Sequence, residues 1–183
     1  MSPIPSPTSP RRSSALVIRA AIVVAVLTLA VASLTFFPGS GSCASAQLHG
    51  RVVAIADGDT LTLLIGTDQT KVRLWGIDCP EKNQAFGQVA KIALSNLVFG
   101  KDIDVDSRGT DRYGRTLGWI VSNGREVNLE MVKTGMAWWY RQYAPKATDL
   151  AAAEQKARVA KVGLWADADP VPPWDFRHNK RSK

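Results

Sequence analysis

Two runs rich in β-branched and aliphatic residues, 48–56 and 60–65, are parted by Asp57-Gly58-Asp59, and Asp with Gly between two such runs predicts a hairpin. Residues 66–70 predict a second turn and residues 71–77 a third strand, in which Val72 and Leu74 alternate with Lys71 and Arg73. Three strands in a row predict an antiparallel meander. The period then changes. Within 85–98, Ala90, Leu94, Leu97 and Val98 fall at helical spacing, and Gly100 follows as a terminating glycine. Residues 101–106 set Ile103 and Val105 against Asp102, Asp104 and Asp106, the pattern of a strand with one wet face. The polar stretch 108–115 predicts a loop, and 116–122 a fifth strand ended by the turn pair Asn123-Gly124.

Asn128 has the chemistry of an N-cap for a short helix over 129–134, with Gly135 closing it. Residues 136–143 carry Trp138, Trp139, Tyr140 and Tyr143, a grouping that core packing or helix docking explains more readily than base stacking. An Ala-rich amphipathic helix is predicted over 148–161, ended by Gly163, with Leu164 and Trp165 packing its end onto the barrel. The last stretch holds Pro170, Pro172 and Pro173 and closes on Arg177, Lys180, Arg181 and Lys183, which predicts an extended basic arm. Five short strands with a helix between the third and fourth give the order of an OB-type barrel. The expected class is therefore mostly β with helices (α+β), a five-stranded OB-fold barrel with about three α-helices.

The first 46 residues follow another logic. Residues 1–14 are rich in Pro and Ser and carry Arg11 and Arg12, and residues 20–37 contain no charge. That apolar length lies between a long signal core and a spanning helix. Ala44-Ser45-Ala46 fits a small-x-small cleavage site, which predicts a mature chain starting at Gln47; a retained membrane tether through 20–37 is the alternative. Cys43 lacks the aliphatic residue that lipidation requires before it, and Ser13-Ser14-Ala15 matches a twin-arginine signal poorly. Arginines ahead of the apolar run place the bulk of the chain outside the cytoplasm in either case. The division expected is a signal peptide or anchor at 1–46, a barrel domain at 47–170 and a Pro-rich basic tail at 171–183. Cys43 and Cys79 are the two cysteines, and loss of the first with the leader excludes a disulfide scaffold.

Charge narrows the partners. The chain has a formal net charge of +7, and Arg11, Arg12 and Arg19 supply three of those charges ahead of Gln47 with no acid beside them. A surplus remains on the barrel and favours a polyanion such as nucleic acid. The chemistry centres on Arg73-Leu74-Trp75-Gly76-Ile77-Asp78-Cys79-Pro80-Glu81, where a strand runs into two carboxylates across a proline. An antiparallel meander brings Asp59, at the start of the second strand, close to Asp78 at the end of the third. Two carboxylates from adjacent strands can share a hard cation. Asp111-Arg112-Tyr113-Gly114-Arg115 reads as a β-turn that also delivers a second arginine to the base of the fifth strand. Neither His49 nor His178 lies in a zinc-ligand spacing.

Taken together, Asp57-Gly58-Asp59-Thr60, then Arg73-Leu74 with Asp78-x-Pro80-Glu81, then Asp111-x-Tyr113-Gly114-Arg115, resemble the staphylococcal nuclease (thermonuclease) family in order, content and separation. The resemblance covers about residues 48–166. It implies that Asp59 and Asp78 ligate Ca²⁺ with the backbone carbonyl of Cys79, and that Asp57 stands in the outer shell. It implies Arg73 and Arg115 beside the scissile phosphate and Glu81 on the attacking water, with Tyr113 and Tyr143 in the substrate pocket. The activity implied is Ca²⁺-dependent cleavage of DNA and RNA that leaves 3′-phosphate ends, by a monomer acting on single-stranded or frayed substrate. A barrel that binds nucleic acid without cutting it is the alternative, although such relatives lose the arginines or acids that are all present here. Two departures stand out. The loop after Glu81 is short, and Arg141 replaces a second pocket tyrosine.

Overall fold

A computed structural model describes residues 46–181, and from Ala44 onward the chain forms a compact unit of its own. The expectations for residues 1–45, the apolar run and Cys43 included, lie outside the described residues. Among the described residues no helix is long and apolar enough to cross a membrane.

The meander forms as β1 (Gln47–Ile55), β2 (Thr60–Ile65) and β3 (Asp68–Leu74), each antiparallel to the next. The second turn is tighter than the polar run 66–70 suggested, because Ile65 already pairs with Asp68. The third strand also stops sooner, at Leu74. Gly76 then takes a φ of 78°, which side-chain-bearing residues rarely adopt, and redirects the chain into β4 (Ile77–Asp78). That short strand pairs with β8 (Trp138–Trp139) in a separate two-stranded sheet.

β5 (Asp102–Thr110) pairs with β1 on one side and β6 (Thr116–Ser122) on the other, and it takes in residues 108–110 at the start of the stretch expected to be a loop. Only the turn at 111–115 remains outside it. Ladder hydrogen bonds to β6 hold polar residues such as Ser107 and Thr110 in strand geometry, where side-chain pattern alone does not mark them. β6 pairs in parallel with β3, setting Arg73 beside Leu117, and this closes a five-stranded barrel of β1, β2, β3, β5 and β6. β7 (Arg125–Glu126) extends the sheet from β6.

The barrel interior is filled by Val72, Leu74, Ile103 and Val105, which the strand pattern singled out, together with Val52, Leu61, Leu63 and Ile120, all buried. α1 (Gly87–Val98) adds Ala90, Leu94 and Val98 to the same core. Each Leu, Ile or Val so buried contributes about 1.5–3 kcal/mol of transfer free energy. α2 (Val127–Lys133) starts one residue before Asn128, so Asn128 is not its cap. Its amide is instead wholly buried, accepting from the Ile120 N–H at 2.9 Å and donating to the carbonyls of Trp75 at 2.9 Å and Gly118 at 3.0 Å. An amide offers both an acceptor and donors, and three buried backbone groups here need them.

α3 (Thr148–Val159) buries Leu150, Ala153 and Ala157. A 3₁₀ turn, Gly163–Ala166, then places Leu164 and Trp165 in a second apolar cluster with Trp138 and Ala157, rather than on the barrel as expected. Phe86 and Trp174 pack against that cluster. The tail is the largest departure from the sequence pattern. It is not extended: α4 (Pro173–Arg181) is a fourth α-helix among the described residues. Pro173 stands at its first position, where a proline ring has the helical φ already set and its missing N–H costs nothing, and Asp175 lies in the first turn.

Candidate active site

Three strand ends supply the acids. The Asp57 carboxylate accepts the Asp59 N–H at 3.1 Å and fixes the β1–β2 turn. Gly58 lets that turn approach the chain after β4, since a Cβ there would lie 2.8 Å from the Cβ atoms of both Cys79 and Ala90. Asp59 is thereby buried, with Oδ2 accepting the Cys79 N–H at 2.8 Å and Oδ1 accepting the Thr60 hydroxyl at 3.2 Å.

Arg73 faces Thr60 across the β2–β3 ladder, and its guanidinium reaches two acids at once. Nη1 donates to Asp59 Oδ1, and Nη2 donates to Asp78 Oδ1 at 2.6 Å. Asp78 is fully buried. Because one planar guanidinium spans both carboxylates, their oxygens lie within a few ångströms of each other.

The electrostatics follow from that crowding. Burial, with Asp57 and Asp78 adding to it against Arg73 and the Cys79 N–H, pushes the Asp59 carboxyl up to about 7. Burial works against the charge on Arg73, but the attraction of Asp59 and Asp78 outweighs it and raises the guanidinium above its ordinary value. The Cys79 thiol, buried beside the same acids, is pushed well up by burial and then by Asp59, so it is an inert packing group here.

Glu81 follows the buried Pro80. Its N–H donates to the Gln84 side chain at 3.0 Å, and its carboxylate accepts Arg177 Nη1 at 2.7 Å. Arg177 comes from α4 and also donates from Nη2 to Asp78 Oδ2 at 2.7 Å and from Nη1 to Asp78 Oδ1 at 3.3 Å. Asp57, Asp59, Arg73, Asp78, Cys79 and Glu81 are thus one connected cluster.

Arg115 belongs to a neighbouring one. It lies two residues before Leu117, the β6 partner of Arg73, and is held by Asp111. Asp111 Oδ2 accepts Arg115 Nε at 2.7 Å and Nη2 at 2.6 Å, while Oδ1 accepts the backbone N–H groups of Tyr113 at 2.9 Å and Arg115 at 3.0 Å. Tyr113 is exposed, with the guanidiniums of Arg112 and Arg115 over its ring at 4.8 and 5.5 Å. Tyr143 is exposed as well and packs on Tyr140, with ring centroids 4.7 Å apart. Neither tyrosine is joined to the acid cluster by a direct contact among the described residues.

The family model for staphylococcal nuclease homologues matches residues 71–167, more than half of the chain. The chain belongs to the staphylococcal nuclease family. It is 42% identical over 183 residues to the protein named ParB of Escherichia coli, covering 94% of this chain and 97% of that one. A protein of Haemophilus influenzae described as an uncharacterized endonuclease is 44% identical over 149 residues, covering 81% of this chain and 83% of its own length. The micrococcal nuclease of Shigella flexneri is 38% identical over 147 residues, covering 75% and 84% respectively.

For this member of the staphylococcal nuclease family, the donor set can be tested against the cation its family membership suggests. Asp59 and Asp78 present hard carboxylate oxygens that one guanidinium bridges, close enough to serve one ion. That combination fits Ca²⁺ or Mg²⁺ and not zinc. No group of three or more His, Cys, Asp or Glu side chains forms a ready cage among the described residues. A cation here would rely on two carboxylates, with backbone oxygen, water and substrate completing its shell.

Sequence reasoning missed two contributors. Arg177 falls in the stretch expected to be an extended basic arm, although Pro173 followed by Trp174 and Phe176 is a helix start with apolar anchors. Asp111 was read as a turn residue, which it is, but its second oxygen also clamps Arg115.

Proposed function

We propose that the chain is a nuclease that hydrolyses phosphodiester bonds of DNA and RNA with little sequence specificity, uses Ca²⁺ and leaves 3′-phosphate ends. The observation that carries this reading is the Arg73 guanidinium spanning two buried carboxylates, Asp59 just before β2 and Asp78 in β4, with Glu81 tied to Asp78 through Arg177. Attack on a phosphodiester gathers negative charge on the phosphoryl oxygens, and preorganised guanidiniums stabilise that charge more than they stabilise the ground state. Arg73 and Arg115 take that role, and Arg115 is aimed by Asp111 rather than left to search. A divalent cation bound at Asp59 and Asp78 would supply further charge stabilisation. Glu81, partly exposed beside the cluster, orients or deprotonates the attacking water. Tyr113 and Tyr143 offer exposed ring faces for nucleotides, sequence-tolerant because every base has a π-face. Export rests on the charged leader, the uncharged run and the Ala44-Ser45-Ala46 site. N-terminal sequencing of the exported product tests it: a start at Gln47 supports cleavage, and an intact leader supports a tether. For the chemistry, end-group analysis of cleaved single-stranded DNA should find 3′-phosphates. Products carrying 3′-hydroxyls would contradict the assignment.

A further inference from the structure

α4 docks on the two acids that the chemistry needs. Trp174 stacks on Tyr140, with ring centroids 5.4 Å apart and planes 5° from parallel, and meets Trp138 edge-on at 5.6 Å. Gln84 donates to the Val171 carbonyl at 2.6 Å, and Pro173 is buried. These anchors aim Arg177 at Asp78 and Glu81.

Asp78 is consequently saturated with guanidinium donors. Oδ1 accepts from Arg73 and Arg177, and Oδ2 accepts from Arg177. A cation sharing Asp59 and Asp78 must take over oxygens that two arginines now hold. Arg73 sits on β3 in the closed barrel, whereas Arg177 projects from the last helix and keeps about a third of its side chain (35%) exposed. Arg177 is the one that can withdraw. We propose that Arg177 is a positioning residue that holds Asp78 and Glu81 in the place of a divalent cation, so that docking of α4 and binding of the cation oppose each other. This rests on the reading of Asp59 and Asp78 as cation ligands.

The sign of the effect separates it from mere structural support. Removing Arg177 takes one positive charge away from the site and frees Asp78 Oδ2. Arg177→Ala should therefore bind Ca²⁺ about tenfold more tightly in a calorimetric titration, as removal of a like charge within a few ångströms dictates, while Arg177→Lys should fall between. Trp174→Ala, which loosens α4 without touching the acids, should shift affinity the same way. Ca²⁺ titrated into the unaltered protein should change tryptophan fluorescence as Trp174 leaves Tyr140, and Arg177→Ala should show a smaller change. Thermal melting in chelator verifies that each variant is folded. Unchanged or weaker Ca²⁺ binding by a folded Arg177→Ala overturns the proposal while the cation reading survives. Absence of Ca²⁺ binding by both the unaltered protein and the variants overturns both.

Discussion

Arg73 carries more of the site than any other side chain, because it orders two buried acids and has the shape to meet a phosphate bidentately. A lysine keeps the charge and loses the fork. Arg73→Lys and Arg115→Lys should each lower kcat by about 10²–10³, the scale for removing one preorganised donor, with KM for single-stranded DNA changed far less. Equal losses in both would mean that the arginines merely bind. Asp111 acts through Arg115. Its slight burial favours the protonated form, but the N–H groups of Arg115 and Tyr113 and the Arg115 guanidinium outweigh this and hold the carboxyl below its ordinary 3.8. Its stabilising contribution is therefore present above that value and lost as pH falls through the lower folded-state value. Asp111→Asn should flatten the acid limb of the melting-temperature profile below about pH 4 and lower kcat through a loosened Arg115. An unaltered acid limb and unaltered kcat would separate Asp111 from both roles.

At the scale of elements, the site depends on close approach of turns that no periodicity announces. Gly58→Ala should destabilise the protein by about 1–3 kcal/mol in denaturant melts, since its methyl overlaps the side chains of Cys79 and Ala90. Asn128→Ala should cost about 1–3 kcal/mol by leaving the buried Ile120 N–H without its acceptor. Values near zero for either would mean that the contact is absent in solution. These residues also mark where the sequence could and could not be read. β1, β2, β6, α1 and α3 were legible because each has one buried face, with Leu61 and Leu63 or Ala90 and Leu94 at the matching period. Asn128 was misread because an amide suits a helix cap and a buried bridge equally, and only tertiary structure decides between them. β5 ran past its alternating part because its polar end is held by ladder hydrogen bonds. α4 was hidden by its prolines, which break a helix inside it and start one at its first position.

At the scale of the molecule, the candidate site is a product of barrel closure. Asp59 lies before β2, Arg73 in β3, Asp78 in β4 and Arg115 before β6, and the parallel β3–β6 pairing brings the last alongside the others. The motifs that bring Asp59, Arg73 and Asp78 together were readable from residue types and spacing, whereas the arginine contributed by α4 was not, since a basic run reads as solvated unless the Pro173, Trp174 and Phe176 ahead of and around it are read as a docked helix start. The basic surplus that remains after Gln47 complements a polyanion, so KM for DNA should rise with salt as counterion release loses its drive. A flat response would argue for binding through the tyrosines alone. The central claim is that these acids and arginines cut nucleic acid with a bound divalent cation. It is tested most directly by incubating the purified protein with single-stranded DNA at mildly alkaline pH, with Ca²⁺ and with a chelator. Cleavage with Ca²⁺ that the chelator abolishes is the expected result, and intact DNA in both reactions would contradict the account.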